Sequence, residues 1–376
     1  MDPDMVSSTG WPTSSFAYQI NVVSGWDAYN AARICRAHVL ATNELVTIRC
    51  LNAEVLTSSE QRLQDEVRAA VLSRQLAHPN IYQPFVHFVT ADDPAELWTV
   101  GPYTPQGSLR DLLDTTFPNG CDEVLTATVL HEVLQALVHL HKLGIVHNRI
   151  NAESVVITEA LRVCITNFQY SRDIHFDGDG SGKLFDCPTD HSILPWLAPE
   201  VISQAAHGYM TKADIYGLGV LALEMLNGDQ PYAGLELPQM LLYKIQGIKV
   251  GVAPTKNVSR HMKVFLSQCL NVDPDLRPSA SDLLRHPLFR QVRRVRATVD
   301  RYMPRTTRPV ISIPEDAFHF GLPLEEPDLP DTFERHAFPQ LFQGGLTVYQ
   351  GESTHEHTCV CGSVGSGDQG TSGREE

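Results

Sequence analysis

Two kinds of hydrophobic pattern divide the chain at about residue 103. In the first part, short runs rich in β-branched and aromatic residues are bounded by turn formers, which is typical of strands. The runs that predict strands are 44–51, 84–89 and 96–100. One helix is predicted among them, over 57–76. Its apolar residues recur at helical spacing, and Thr57 stands three residues before Glu60, as in a capping box.

The second part of the chain is mainly helical in pattern. A long amphipathic helix is predicted to end at Gly144, a residue suited to a C-cap. Residues 211–228 are apolar nearly all round, so we expect a buried central helix, with Thr211 and Asp214 in cap spacing at its start. Further elements are predicted as helices over 260–270 and 279–289 and as a small strand pair over 154–158 and 161–166. This succession indicates an α+β fold of two lobes.

Composition sets the outer limits of the folded part. The predicted divisions are a flexible leader (1–15), a two-lobed domain (16–290, divided into 16–103 and 104–290), a C-terminal extension (291–342) and a disordered tail (343–376). The basic start of the extension is predicted to lie on the body as a helix. The histidines and cysteines of the tail alternate in sequence and lack the loop-separated spacing of structural zinc sites, so we predict no metal site.

Charge and cysteine content narrow the class of protein. With 29 Lys and Arg against 44 Asp and Glu, the net charge of −15 would repel nucleic-acid phosphates. The eight cysteines are scattered, mostly in apolar stretches, which indicates buried thiols in a reducing compartment. We predict neither a membrane span nor a secretory signal, because no run of eighteen apolar residues occurs and the start is polar. We expect a cytoplasmic protein that could also reach the nucleus through a partner.

Three segments of the second part follow one another in the order of a protein-kinase C-lobe. They are LAPE (197–200), ADIYGLGVLALEMLNGDQPY (213–232) and DPDLRPSASDLLRHPLF (273–289). The chain thus resembles the protein kinases, which implies a bilobal kinase-like fold with a small β-rich N-lobe, an αC helix and a larger helical C-lobe. The resemblance also implies that Glu200 pairs with Arg277 and that Asp214 holds the backbone of the catalytic loop. The alternative is three unrelated charged residues.

The catalytic positions of this resemblance carry the wrong chemistry for phosphoryl transfer. In HNRINAES (147–154), His147 matches the motif, but Arg149 replaces the base aspartate, and a guanidinium cannot accept a proton at neutral pH. The other replaced positions are Asn151 for lysine, Ser154 for the metal-binding asparagine, and Asn167 and Gln169 for the outer residues of the Asp-Phe-Gly triplet. Neutral amides and hydroxyls are poor Mg²⁺ ligands, so we predict neither Mg²⁺ binding nor efficient catalysis.

The nucleotide-binding positions are only partly kept. Of the glycine-rich loop only Gly25 fits, and Arg49 stands where the ATP-phosphate lysine is expected, with Glu66 as its partner on the helix. The hinge residues by this alignment are Gly101 at the gatekeeper position, Pro102 and Thr104. The Pro102 C=O and the Thr104 N–H would face an adenine. Two interpretations stay open: ATP binding without catalysis, or an ordinary ion pair with no nucleotide.

Longer segments narrow the resemblance to one family. The chain is similar to the STRAD (sterile-20-related adaptor) pseudokinases over roughly 16–325, most clearly in these segments: HNRINAESVVI (147–157), ILPWLAPEVIS (193–203), GYMTKADIYGLGVLALEML (208–226), LPQMLLYKI (237–245) and FGL (320–322). Members of that family are inactive adaptors that hold a closed, active-like kinase shape. The resemblance implies that this chain activates a Ser/Thr kinase of the liver kinase B type, together with an armadillo-type scaffold.

Two aromatic residues are candidate partner contacts. Trp196 lies in the segment that would face a partner kinase, and packing inside the C-lobe is the alternative role for it. Phe333 follows acidic residues in DLPDTFERHAF (328–338). The Trp-Glu-Phe motif with which these adaptors bind their scaffold does not occur in the sequence, so we do not expect scaffold docking by that route.

Two alternative functions stay open on the sequence alone. A weak or unconventional ATP-dependent Ser/Thr kinase would need an acid that reaches the phosphates, for which Asp173 and Asp177 are downstream candidates. A pure binding scaffold would bind its partner without changing the partner's rate. The leading interpretation is the adaptor that activates another kinase.

Overall fold

A five-stranded antiparallel sheet forms the N-terminal lobe. The structure, a computed structural model, describes residues 10–304 except 28–31, 58, 93, 176, 178–182, 189–190 and 249–256. The strands are β1 (Tyr18–Asp27), β2 (Ala32–Val39), β3 (Leu45–Asn52), β4 (Val86–Val89) and β5 (Glu96–Pro102), paired in the order β1-β2-β3-β5-β4. Alternate residues of the central strands, among them Val46 and Ile48, are buried with Phe88 and Val100 in a core of their own. The three strands predicted from the sequence are confirmed as β3, β4 and β5.

Two helices, rather than the single one predicted, follow β3. They are α1 (Ala53–Thr57) and α2 (Glu60–Gln75). The capping box predicted for Thr57 is wrong, because Thr57 ends α1 and its hydroxyl donates to the Glu54 carbonyl at 3.1 Å. Ser59 takes the N-cap position of α2 without a side-chain cap bond. The chain continues from β3 straight into a helical turn, so the long helix starts later than its sequence pattern indicates.

The C-terminal lobe is built from helices around one buried element. Its elements are α3 (Leu109–Thr116), α4 (Glu123–Lys142), β6 (Ile145–Val146), β7 (Val155–Ile157), β8 (Val163–Ile165), β9 (Arg172–Asp173), α5 (Pro199–Ile202), α6 (Lys212–Asn227), α7 (Leu237–Ile245), α8 (Arg260–Cys269), α9 (Ala280–Leu283) and α10 (Val295–Tyr302). Strands β7 and β8 pair antiparallel, as predicted. In α6, every residue of 213–226 is buried, so the predicted central helix is confirmed.

Of the two caps predicted for α6, the C-terminal one at Gly228 is formed and the N-terminal one at Thr211 is not. At the C-terminal end, Gly228 has φ +81°, the left-handed conformation that a glycine C-cap adopts. At the N-terminal end, the predicted Thr211–Asp214 cap is wrong. Thr211 has helical backbone angles and makes no side-chain cap bond. Asp214 is instead committed to the neighbouring loop, where two backbone N–H groups would otherwise be buried without acceptors.

The basic run after residue 290 begins with a helix on the body, as predicted. Helix α10 packs beside α4, with Val299 fully buried and the Tyr302 hydroxyl donating to the Asp122 carboxylate. The predictions on 305–376, including Phe333 and the FGL segment, lie outside the described residues. Within the part that the structure describes, no helix has the length and apolar character to cross a bilayer.

Candidate functional site

A cavity of about 450 Å³ lies between the two lobes. Its upper wall comes from β1, β3 and β5, and its lower wall from α3 and the loop after β6. Gly25 and Ser24 line it from β1, where a bulge interrupts the pairing with β2 and the Ser24 hydroxyl donates to the Ile34 carbonyl at 3.1 Å. The cavity thus brings together five residues that the sequence singled out in separate segments: Gly25, Arg49, Thr104, Arg149 and Asn167.

An ion pair holds helix α2 against the sheet. Arg49 on β3 donates two hydrogen bonds to the Glu66 carboxylate on α2, at 2.7 and 3.0 Å. Both partners are nearly buried, so the pair is a charge-assisted, two-pronged contact in a region of low dielectric constant. Gln169 Nε2 donates to the same carboxylate at 3.3 Å and thereby joins the pair to the lower lobe. The helix is fixed in the inward position by residues from both sides of the cleft.

The loop at 147–154 is held by one buried carboxylate. Asp214 accepts hydrogen bonds from the backbone N–H groups of His147 and Asn148, each at 2.9 Å, and from the His141 ring at 2.9 Å. The contact predicted for Asp214 is therefore formed. His147 Nε2 donates to the Thr166 carbonyl at 2.9 Å, and burial lowers the pKa of His147 to about 4, so its ring is neutral.

The His147 ring also meets an aromatic residue of the neighbouring segment. It lies edge-on to Phe168, with ring centroids 5.0 Å apart. Phe168 is buried, so the contact packs the degenerate Asn-Phe-Gln triplet against the loop. Together with the Asp214 bonds, this contact keeps the loop and the triplet in one ordered arrangement.

An arginine occupies the position of a proton acceptor. Arg149 is 2% exposed, and its Nη2 donates to Glu153 at 2.9 Å. Its guanidinium lies 5.4 Å from the centroid of the Tyr170 ring, within the range of a cation–π contact. A guanidinium stays protonated at any physiological pH, so this position cannot remove a proton from a substrate hydroxyl.

The replaced lysine position (Asn151) and the two replaced metal positions (Ser154 and Asn167) all carry neutral side chains. The Asn151 side chain accepts from the Ser154 backbone N–H at 2.9 Å. Asn167 adopts the left-handed region, with φ +65°, and its amide donates to the Glu153 carbonyl at 3.2 Å. Ser154 is buried, and its hydroxyl has no hydrogen-bond partner among the described residues. These neutral side chains do not fit Mg²⁺, which favours carboxylate and phosphate oxygens as ligands. Within the described ranges, no group of three or more His, Cys, Asp or Glu side chains could hold a metal ion.

Both backbone groups of the predicted hinge have partners inside the chain. The Pro102 carbonyl accepts from the Tyr82 hydroxyl at 2.9 Å. The Thr104 N–H donates to the Thr47 hydroxyl at 3.0 Å. Gly101 lies beside Tyr82, and a Cβ at this glycine would fall 2.4 Å from the Tyr82 oxygen. The missing side chain of Gly101 therefore makes room for the phenol.

The predicted pair of Glu200 and Arg277 is formed and almost fully buried. The guanidinium donates to the two carboxylate oxygens at 2.6 and 2.8 Å. It also donates to the backbone carbonyls of Asn271 (2.7 Å), Val272 (3.0 Å) and Lys212 (3.0 Å). The pair anchors the segment that ends at Glu200 to the helical lobe.

Trp196 is not available as a partner contact, so that prediction is wrong. The residue is 5% exposed, and its indole N–H donates to the Glu224 carboxylate at 2.9 Å. Glu224 also accepts from Arg110 at 3.1 Å and from the Ala152 backbone N–H at 3.0 Å. Burial raises the pKa of Glu224 to about 7. The alternative role, packing inside the helical lobe, is the correct one.

Three residues that were not predicted from the sequence make buried polar contacts that connect separate segments of the fold. Glu224 and Lys244 each carry a charged group inside an apolar helical pattern, which is a signal because a buried charge needs a partner. Lys244 Nζ donates to the Pro195 carbonyl at 2.6 Å and lies 4.9 Å from the Tyr216 ring centroid. Burial lowers its pKa well below the usual range. The third residue, Tyr82, could have been found only from the space that Gly101 leaves beside it.

The fold and the cleft together define a protein-kinase domain. Residues 30–289 match the protein kinase domain family. The expected features are present: a five-stranded sheet, a helix tied to it by an ion pair, and a loop held by an aspartate of a central helix. The predicted α+β, bilobal kinase-like fold is confirmed.

Relatives narrow this class to one family. STE20-related kinase adapter protein alpha of Mus musculus is 30% identical over 356 residues, covering 83% of this chain and 80% of the relative. The Homo sapiens alpha protein is 30% identical over 341 residues (79% and 77%). The Mus musculus beta protein is 30% identical over 325 residues (74% and 76%). The chain belongs to the STE20-related kinase adapter family, and the resemblance drawn from the sequence is confirmed.

Proposed function

We propose that the chain is a catalytically inactive adaptor that activates a Ser/Thr protein kinase by binding it. One contrast within the cleft carries the proposal. The contacts that order an active kinase are formed at Glu66 and Asp214, while Arg149 stands where a proton acceptor is needed. A chain that keeps the shape and has lost the chemistry is suited to act on another protein through its surface.

Activation by such an adaptor needs only a difference in binding. A partner that exchanges between an inactive and an active conformation is shifted by a ligand in proportion to the ligand's preference for one of them. A tenfold preference corresponds to about 1.4 kcal/mol, which a modest interface supplies. No proton transfer and no metal are required of the adaptor itself.

The partner in this proposal is a kinase of the liver kinase B type, as the family resemblance implies. The names of the relatives describe kinase adapters, which supports a kinase as partner. An armadillo-type scaffold is the third component of this proposed complex, as the family resemblance implies. We place the complex in the cytoplasm on the grounds of cysteine usage, since five of the six described cysteines are buried and all six are free thiols.

Reconstitution tests the proposal directly. The purified chain is mixed with the liver kinase B homologue, with and without scaffold, and phosphate transfer to a peptide is measured. A catalytically dead partner is run in parallel. Two variants compare a buried with an exposed ion pair: Arg49→Met removes the anchor of α2, whereas Arg285→Met removes an arginine paired with Asp282 on the surface. We expect stimulation by the unmodified chain and by Arg285→Met, and a severalfold weaker effect of Arg49→Met.

Each other outcome points to a different function. Phosphate transfer that persists with the dead partner would make this chain a kinase and would contradict the role assigned to Arg149. Binding without any change in rate would favour the scaffold alternative. Equal stimulation by both variants would show that the ordered cleft is not needed for activation.

A further inference from the structure

We propose that Tyr82 and Thr47 stand in for an adenine in this cleft, so that the chain's own side chains hold the lobes closed and the hinge binds no adenine nucleotide. The proposal decides between the two interpretations of the cleft that the sequence leaves open. It concerns the adaptor alone and does not rest on the proposed activation of a partner.

The acceptor side of the hinge is satisfied by Tyr82. Its hydroxyl donates to the Pro102 carbonyl at 2.9 Å, which is the bond that an exocyclic amine of adenine would make. The phenol fits because Gly101 has no side chain: a Cβ there would lie 2.4 Å from the Tyr82 oxygen and 2.8 Å from the ring carbon that bears it. Tyr82 also lines the wall of the interlobe cavity, so its ring occupies room at the hinge end.

The donor side of the hinge is satisfied by Thr47. The Thr104 N–H, which would donate to a ring nitrogen of adenine, donates instead to the Thr47 hydroxyl at 3.0 Å. The hydroxyls of Thr47 and Thr104 lie 3.1 Å apart and form a second bond between the same residues. A purine at the hinge would have to displace this pair and Tyr82 together.

Tyr82 connects the hinge with the helical lobe. Its backbone N–H donates to the Ile165 carbonyl on β8 at 2.9 Å, while its hydroxyl reaches Pro102 on β5. Two residues earlier, the Asn80 amide donates to the Val163 carbonyl at 2.9 Å. One short segment thus bridges strands of both lobes, which is the task that a nucleotide performs when it lies between them.

At the far end of the cleft, too, the charged side chains are paired with other residues of the chain. Arg49 directs two N–H groups to the Glu66 carboxylate, and Arg149 is paired with Glu153. The cations that would meet phosphate groups are committed to carboxylates, and the metal positions hold the neutral side chains of Ser154 and Asn167. A triphosphate entering here would have to exchange places with bonds already formed at both ends.

A ligand titration tests the proposal on the folded chain. Thermal unfolding is followed with millimolar ATP, ADP, adenosine and N6-benzyladenosine, with and without Mg²⁺, and calorimetry gives the dissociation constants. Four proteins are compared: the unmodified chain, Tyr82→Val, the double variant Tyr82→Val with Thr47→Ala, and Phe85→Val. The last is the matched control, because Phe85 stacks on Trp11 and does not line the interlobe cavity.

We expect that adding any of the ligands leaves the unfolding temperature of the unmodified chain and of Phe85→Val unchanged. For the Tyr82→Val proteins we expect a rise that grows with ligand concentration. N6-benzyladenosine should bind tightest, because Gly101 leaves room beside the hinge once the phenol is gone. Stabilisation of the unmodified chain by ATP or adenosine at sub-millimolar concentration would overturn the proposal, and this outcome needs no variant to fold. Folded Tyr82→Val proteins that bind none of the ligands would overturn it as well, because Tyr82 would not be what closes the cleft.

Discussion

Because Gly101 lies against Tyr82, we expect Gly101→Ala to change the free energy of unfolding in opposite directions with and without the Tyr82 side chain. A glycine in a strand is ordinarily replaced by alanine with a gain, because the backbone loses less freedom on folding. Gly101 lies in β5, and a Cβ there would meet the Tyr82 oxygen at 2.4 Å and the ring at 2.8 and 3.0 Å. We therefore expect Gly101→Ala to destabilise the unmodified chain and to stabilise a chain that carries Tyr82→Val.

The size of the effect follows from what must move. In the unmodified chain the phenol has to retreat by roughly an ångström, and such overpacking costs about 1–3 kcal/mol. The retreat also breaks the bond to the Pro102 carbonyl, a loss of about 0.5–1.5 kcal/mol. The backbone gain of replacing a strand glycine is only about 0.5–1 kcal/mol, so destabilisation prevails. In the Tyr82→Val background only that gain remains.

Urea unfolding of four proteins measures this coupling: the unmodified chain, each single variant and the double variant. The free energy of unfolding should fall with Gly101→Ala alone and rise when the same change is made beside Tyr82→Val. The difference between the two steps is the interaction energy of the pair. Equal effects of Gly101→Ala in both backgrounds would refute the reasoning, because Tyr82 would then not fill the space beside the glycine.

Three further predictions concern buried polar groups elsewhere. Arg277→Met leaves the buried Glu200 carboxylate without its cation, and we expect a loss of about 3–5 kcal/mol in the free energy of unfolding measured with urea. Trp196→Phe removes the N–H that binds Glu224 while keeping an aromatic ring, and should cost about 1–3 kcal/mol in the same measurement. His87→Gln should make the free energy of unfolding fall less steeply on acidification below about pH 6.5, by about 1.4 kcal/mol per pH unit. Urea unfolding at several pH values measures this slope.

The direction of the pH effect comes from the surroundings of His87. Burial, and then the charges of Arg74 and Arg49, lower the pKa of His87 to about 3. Below about pH 6.5 the unfolded chain binds a proton at this residue that the folded chain does not bind. The stabilising contribution is therefore present above that pH and is lost as the pH falls towards 3.

The opposite outcomes are equally specific. A loss below about 1 kcal/mol for Arg277→Met would mean that Glu200 finds another partner or is reached by water. Unchanged stability of Trp196→Phe would show that Glu224 does not need the indole. Parallel pH profiles for His87→Gln and the unmodified chain would mean that His87 is protonated in the folded protein.

Long-range contacts were predictable where a motif of fixed order carried them. Glu200 pairs with Arg277, and Asp214 accepts from the loop backbone, as expected, because kinase-like segments in the right order imply these buried contacts. The Arg49–Glu66 pair was foreseen for the same reason. Local signals did less well: Thr57 and Thr211 stand in cap spacing, yet neither side chain caps a helix. Thr57 is the last residue of the short helix α1, and Thr211 itself has helical backbone angles.

The amino-acid sequence by itself determined the class of this protein, its α+β fold and the loss of the acidic catalytic residues. Those properties depend on residue types at spaced positions, which can be read along the chain. The tertiary structure decided which side chains line the cleft and whether Trp196 lies at the surface. Trp196 turned inward to Glu224, and Tyr82 entered the space beside Gly101, 19 residues further along the chain. Such outcomes depend on volumes and hydrogen-bond partners that only packing in three dimensions brings together.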